Sequence, residues 1–144
     1  IIKKIESLAK EGKVIHKFPI AKMKNNSLDF SFSGLKTAVV NFLNENKDVN
    51  IKDLACSFQY AANQALIEKV VEASKNTGVQ RVILCGGVSA NMTLRKTLEN
   101  ICKKNNIKLF YPPLELCTDN AAMIAAVGYD KFKMWFGEKK QTIV

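Results

Sequence analysis

Apolar residues recur along this chain at two spacings, and the switches between them mark out its elements. From Ile1 to Lys10 they fall at Ile1, Ile2, Ile5, Leu8 and Ala9, a helical spacing with Gly12 as its stop. Val14 to Ile20 reads as a short extended segment containing Pro19, and the KMKNNS that follows Ala21 as a turn in which Asn25 and Asn26 can take left-handed conformations. Leu28 to Phe32 alternates apolar and polar residues, which predicts a strand with one covered face. Ser33 and Gly34 break it, and Ser33 is placed to cap a helix from Leu35 to about Asn46 that buries Leu35, Val39, Phe42 and Leu43. Lys36 lies in the first turn of that helix, where a cation opposes the helix dipole and points to solvent or awaits an anion.

Ile51 to Asn76 is the longest predicted helix, with Leu54, Phe58, Ala61, Ala65, Leu66 and Val70 along one stripe that also takes in Ala62 and Ala73. Val82 to Cys85 is a short apolar run, as expected of a strand buried on both faces. Gly86 and Gly87 stop it, and Ser89 or Asn91 can cap a helix whose apolar positions are Met92, Leu94, Leu98 and Ile101. Lys108 to Tyr111 is the next strand, closed by Pro112 and Pro113, which cannot continue a ladder. Strand, crossover helix and strand predict a right-handed parallel unit. Leu114 to Thr118 is a loop, and Asp119 to Gly137 the last helix, with Thr118 or Asp119 as cap and Phe132, Trp135 and Phe136 as its packing end. The tail EKKQTIV is expected to fray.

The alternation gives an α/β class, with helices covering a partly parallel sheet. So few strands leave an open flank, which exposes unpaired backbone and invites self-association. At 144 residues the chain is one domain at most. Its first residue is Ile, already inside a helical pattern, so a piece of a longer protein is expected.

Lysine and arginine exceed aspartate and glutamate by 22 to 13, a net charge of +9. Nucleic acid is the natural partner class for such a charge, although the lysines are scattered and no aromatic interleaving marks a stacking platform. The four cysteines, Cys56, Cys85, Cys102 and Cys117, form no C-x-x-C pair. With no signal-peptide pattern and no apolar run long enough to span a bilayer, they read as reduced thiols of a cytoplasmic protein. The single histidine, His16, has no second histidine at metal spacing and reads as a surface or turn residue.

Two places carry candidate chemistry. A strand, two glycines and a capped helix start leave backbone N–H groups open at Gly86 and Gly87, which suits a phosphate or another anion or merely makes a tight turn. The amide of Asn91 can both donate and accept. Cys117-Thr118-Asp119-Asn120 lies at the corresponding place after the next strand, where ligands of open α/β sheets gather. Asp119 could cap the helix or ligate a metal, and one carboxylate makes no metal site.

Three segments in order, DFSFSGLKTAV (Asp29 to Val39), CGGVSANMTLR (Cys85 to Arg95) and CTDNAAMIA (Cys117 to Ala125), closely resemble the tRNA N6-adenosine threonylcarbamoyltransferase family, whose bacterial members are called TsaD. The family was formerly described as O-sialoglycoprotein endopeptidase. Ser57 to Gln59 and Tyr111 to Pro113 match as well. The resemblance implies the actin-like ATPase fold of sugar kinases and Hsp70, with residues 1–144 as the C-terminal portion of the second lobe. It implies transfer of threonylcarbamoyl from threonylcarbamoyl-adenylate to N6 of the adenosine beside the anticodon. The divalent metal, iron or zinc, would be held by Asp119 and by two histidines of an H-x-x-x-H motif that this sequence lacks. Asn91, Gly86 and Gly87 would bind the adenylate or ATP-type ligand, and no catalytic residue is assigned. The family's S-G-G-H-T and G-Y-P-G-G-P stretches are also absent, so the piece is expected to be inactive alone. Implied partners are tRNA, a paralogous subunit and a small ATPase, with no membrane. The alternative function is an ATP-binding module of sugar-kinase or chaperone type without tRNA chemistry.

Overall fold

A computed structural model of the chain describes residues 2–20 and 27–137. The expected turn at Asn25 and Asn26 and the frayed tail lie outside the described residues. The elements run α1 (Ile2–Ala9), α2 (Ser33–Glu45), α3 (Ile51–Thr77), β1 (Arg81–Ile83), α4 (Met92–Lys104), β2 (Lys108–Phe110) and α5 (Ala121–Gly137), with short 3-10 turns at Gly87–Ala90 and Leu114–Leu116. The class is α/β, dominated by helices.

The long helix α3 is framed as its sequence requires. Asn50 caps it, accepting from the N–H groups of Lys52 and Asp53, and Gly78 ends it in a left-handed conformation with φ of 72°. Helix α1 packs along its first half. The chain leaving α1 is pinned there: Lys13 donates its N–H to the Asp53 carboxylate at 2.7 Å, and Ile15 and His16 donate theirs to the Ser57 hydroxyl at 3.2 and 3.1 Å. Gly12 comes so close to α3 that a Cβ there would sit 2.0 Å from the Lys52 carbonyl oxygen. That closeness is why this position holds a glycine. His16 lies half-buried against Phe42, ring centroids 4.6 Å apart.

The core lies between α3, α4 and the sheet. Leu94, Leu98 and Cys102 recur at helical spacing on α4 and meet Ile67 of α3 and Ile107, with Val82, Leu84 and Leu109 packed against them. Each fully buried leucine contributes about 1.5–3 kcal/mol of transfer free energy. The strands β1 and β2 pair in parallel, with Arg81, Val82 and Ile83 opposite Lys108, Leu109 and Phe110. Leu84 donates to the Phe110 carbonyl beyond the last pair. The β–α–β unit is therefore present.

Several sequence expectations are corrected. The strand β1 is covered on one face only: Val82 packs inward, whereas Ile83 is 73% exposed. Leu28 to Phe32 forms no strand, because no neighbouring strand among the described residues offers it a ladder, and Phe30 is half-exposed. Helix α2 starts at Ser33 itself, after Phe32, without a side-chain cap, and buries only Leu35 fully. On α3 the buried set includes the polar Ser57, Gln59 and Asn63, which the apolar stripe did not contain. The expected packing end of α5 is mostly exposed, Phe132 and Trp135 at 59% and 66%, and Phe132 meets Phe136 of the same helix with ring centroids 4.8 Å apart.

Candidate functional site

The first loop grows from the end of β1. Gly86 adopts φ of 84°, a region that favours glycine, and a Cβ at Gly86 or Gly87 would meet nothing within 4 Å. The space beside both glycines is therefore open. A 3-10 turn follows, closed by Ser89 donating to the Gly86 carbonyl at 2.9 Å and Asn91 to that of Val88 at 3.0 Å. The leading N–H groups of such a turn have no partner within it.

Asn91, and not Ser89, caps α4. Its Oδ1 accepts the Leu94 N–H at 2.8 Å, and its Nδ2 donates to Gln59 Oε1 at 2.7 Å. The side chain is thus buried and held from two sides, and it keeps one N–H and one lone pair uncommitted. With Gln59, Asn63, Phe58 and Val88 it lines a cleft of about 100 Å³. Glu6 of α1 accepts the neighbouring Met92 N–H at 2.8 Å, which satisfies another donor of this helix start.

The second loop leaves the end of β2 through Tyr111, Pro112 and Pro113. From Lys108 to Phe136 its single buried residue is Cys117. Helix α5 begins at Ala121, so its cap falls to Asn120, whose Oδ1 accepts the Met123 N–H at 3.0 Å. Neither Thr118 nor Asp119 caps it. The Asp119 carboxylate is exposed and carries no hydrogen bond or ion pair among the described residues.

One side chain touches both loops. Arg95 of α4 donates from Nε to the Ser89 carbonyl in the first loop, and from Nη2 to the Pro112 carbonyl and to Cys117 Sγ in the second, both within 2.9 Å. The Cys117 thiol lies 3.3 Å from the Pro113 carbonyl oxygen, to which it can donate, and the Tyr111 ring lies 4.5 Å from the guanidinium. The glycine turn and the loop that carries Asp119 are therefore neighbours. From the sequence, Arg95 and Gln59 stand only at the ends of matching segments, with no role assigned to either. The signal for Arg95 was present, since it shares the buried face of α4 with Asn91, Leu98 and Cys102, an unusual place for a charge.

Among the described residues no three His, Cys, Asp or Glu side chains gather as a metal site would require. Asp119 fits one position of a coordination shell, as a free carboxylate, and does not complete one. No described helix is long and apolar enough to cross a membrane.

Residues 2–126 match the family described as TsaD, tRNA N6-adenosine threonylcarbamoyltransferase. The chain belongs to this family. A tRNA N6-adenosine threonylcarbamoyltransferase of Kosmotoga olearia is 44% identical over 129 residues, covering 90% of this chain and 39% of the relative. Proteins of the same description from Carboxydothermus hydrogenoformans and Clostridioides difficile are 46% and 45% identical over 128 and 133 residues, 89% of this chain in each case. They are covered over 38% and 39% of their own length. The chain thus spans about two-fifths of the length of the curated TsaD relatives it matches.

Proposed function

We propose that this chain is the C-terminal portion of the second lobe of an actin-like ATPase fold. In that reading it supplies part of the site of a tRNA N6-adenosine threonylcarbamoyltransferase. The observation that carries the reading is the pair of loops at the carboxyl ends of adjacent parallel strands, one with open backbone at Gly86 and Gly87 and the other with an unpaired carboxylate at Asp119.

In this reading the N–H groups beside Gly86 and Gly87 receive the adenylate phosphate, and Asn91 holds the turn in shape while offering its remaining N–H and lone pair to the nucleotide. The N6 amine of the tRNA adenosine attacks the carbamoyl carbon, the bond to the adenylate oxygen breaks, and the amine loses a proton. Donors held at the phosphate favour departure of the adenylate, because they meet the negative charge that grows there. Asp119 would supply one ligand to a divalent metal, iron or zinc, and the remaining ligands would have to come from outside the described residues. When bound, such a metal polarises the carbamoyl oxygen as a Lewis acid. The excess of 22 basic over 13 acidic residues suits a tRNA partner, whose phosphates dominate affinity. A paralogous subunit, a small ATPase and a cytoplasmic setting belong to the same proposal, as does association of copies through the open sheet edges.

The test uses the full-length protein with threonylcarbamoyl-adenylate and a tRNA transcript, scored by mass spectrometry of the nucleosides. Modified adenosine is expected, and Asp119→Asn should lower its formation by more than about a hundredfold. In the metal-free protein the melting temperature should not move, because the carboxylate is exposed and makes no contact among the described residues. Unchanged turnover in Asp119→Asn would remove the metal role. Consumption of ATP with a small hydroxylated substrate, and no tRNA product, would favour a kinase-like module instead.

A further inference from the structure

We propose that Arg95 is a positioning residue that sets the Asp119 loop against the glycine turn, and that Cys117 is the catch it holds. This rests on the functional reading above for its consequence in the reaction, but not for its geometry.

Arg95 is 6% exposed, and among the described residues no carboxylate pairs with it. A buried guanidinium without a counter-ion is costly unless its donors are met. Here Nε and Nη2 are met by the carbonyls of Ser89 and Pro112 and the sulfur of Cys117, and the charge lies beside the face of Tyr111. Three of those four groups belong to the second loop. An apolar residue would fill the same space without that cost, so what the guanidinium adds is direction. Its planar fork donates to the two loops from separate nitrogens, Nε and Nη2, in fixed directions that a single ammonium does not reproduce.

The second loop has little else to hold it. Leu114 and Leu116 are 51% and 46% exposed, no residue from Ala121 to Phe136 is buried, and Cys117 is 3% exposed. Cys117 stands two residues before Asp119, so freeing its sulfur frees the carboxylate. A displacement of an ångström in a catalytic arrangement can cost about a hundredfold in rate.

Two readouts on the full-length protein test this. Iodoacetamide labelling, located by peptide mass spectrometry, should reach exposed Cys85 quickly and Cys117 slowly in the wild type. In Arg95→Lys the labelling of Cys117 should rise by about tenfold or more, while Cys102, buried on the core side of α4, stays protected. In the transfer reaction the same variant should lose about ten- to a hundredfold in kcat with KM for the adenylate changed less than about threefold. Tyr111→Leu alters only a half-exposed ring and serves should Arg95→Lys fail to fold; it should give a smaller rise in Cys117 labelling and a smaller fall in kcat. Continued protection of Cys117 in both variants would overturn the catch. Released Cys117 with unchanged kcat would overturn the positioning role. A wild type that transfers nothing would sink the functional reading, and labelling would still decide whether Arg95 holds the loop.

Discussion

Helix α4 and the stretch from Tyr111 to Phe136 are both rich in apolar residues, yet only one of them is buried. On α4 the apolar residues sit on one face, with Lys96, Glu99 and Lys103 exposed on the other, and Leu94, Leu98 and Cys102 are each no more than 2% exposed. On α5 they surround the helix: Met123, Ile124, Val127, Phe132, Met134 and Trp135 are all at least 47% exposed. A one-sided pattern tells a helix which way to face, and α3 together with Ile107 offers α4 a matching surface. An all-round pattern names no face, and among the described residues nothing complements it. Apolarity supplies the drive to bury, but a complementary surface decides whether burial happens. The C-terminal stretch is consequently placed by polar contacts on Arg95 and Cys117 more than by packing.

That contrast can be broken by truncation. Leu94→Ala should cost about 2–5 kcal/mol in urea unfolding, the range for a buried leucine that leaves a cavity. Asn91→Ala should cost about 1–2 kcal/mol, by deleting the cap of α4 and stranding the buried Gln59 amide. Because that loss is structural, it must be subtracted before weaker adenylate binding in the same variant is credited to the site. Phe132→Ala should cost less than about 0.5 kcal/mol, since the ring is mostly exposed already. A loss near that of Leu94→Ala would show that α5 has a packing partner and would end the comparison.

The smallest effect is electrostatic and belongs to the α1–α3 side. The ammonium of Lys52, hydrogen-bonded to Glu11 at 2.6 Å, holds that carboxyl below its ordinary 4.5, and Glu11 in turn raises Lys52 above its ordinary 10.5. A lowered carboxylate stabilises the fold above its unfolded value, and the gain vanishes as pH falls through the folded value. A raised lysine stabilises below its unfolded value, and that gain vanishes as pH rises through the folded value. The difference in stability between wild type and Lys52→Met should therefore be flat through neutral pH and fade below 4.5 and above 10.5. It should also shrink in about 1 M salt, where the screening length is about 3 Å. A difference that persisted at acid pH would assign the effect to the lysine stem.

Much of this protein is local information. The long helix read over Ile51 to Asn76, the two glycines with Asn91 as a possible cap, and the parallel β–α–β unit follow from turn residues and spacing, which act over a few neighbouring positions. The motif order around Gly86, Asn91 and Asp119 likewise points to the TsaD family, because each motif is contiguous. What the chain alone left undecided depends on residues far apart in it. Whether Leu28 to Phe32 is a strand depends on a neighbour to pair with, and whether α5 is covered depends on a surface to meet. The bond from Asn91 to Gln59 spans 32 positions, and those from Arg95 to Pro112 and Cys117 span 17 and 22. Periodicity marks a buried face but not its polar partners, which only the packed chain brings within hydrogen-bonding reach.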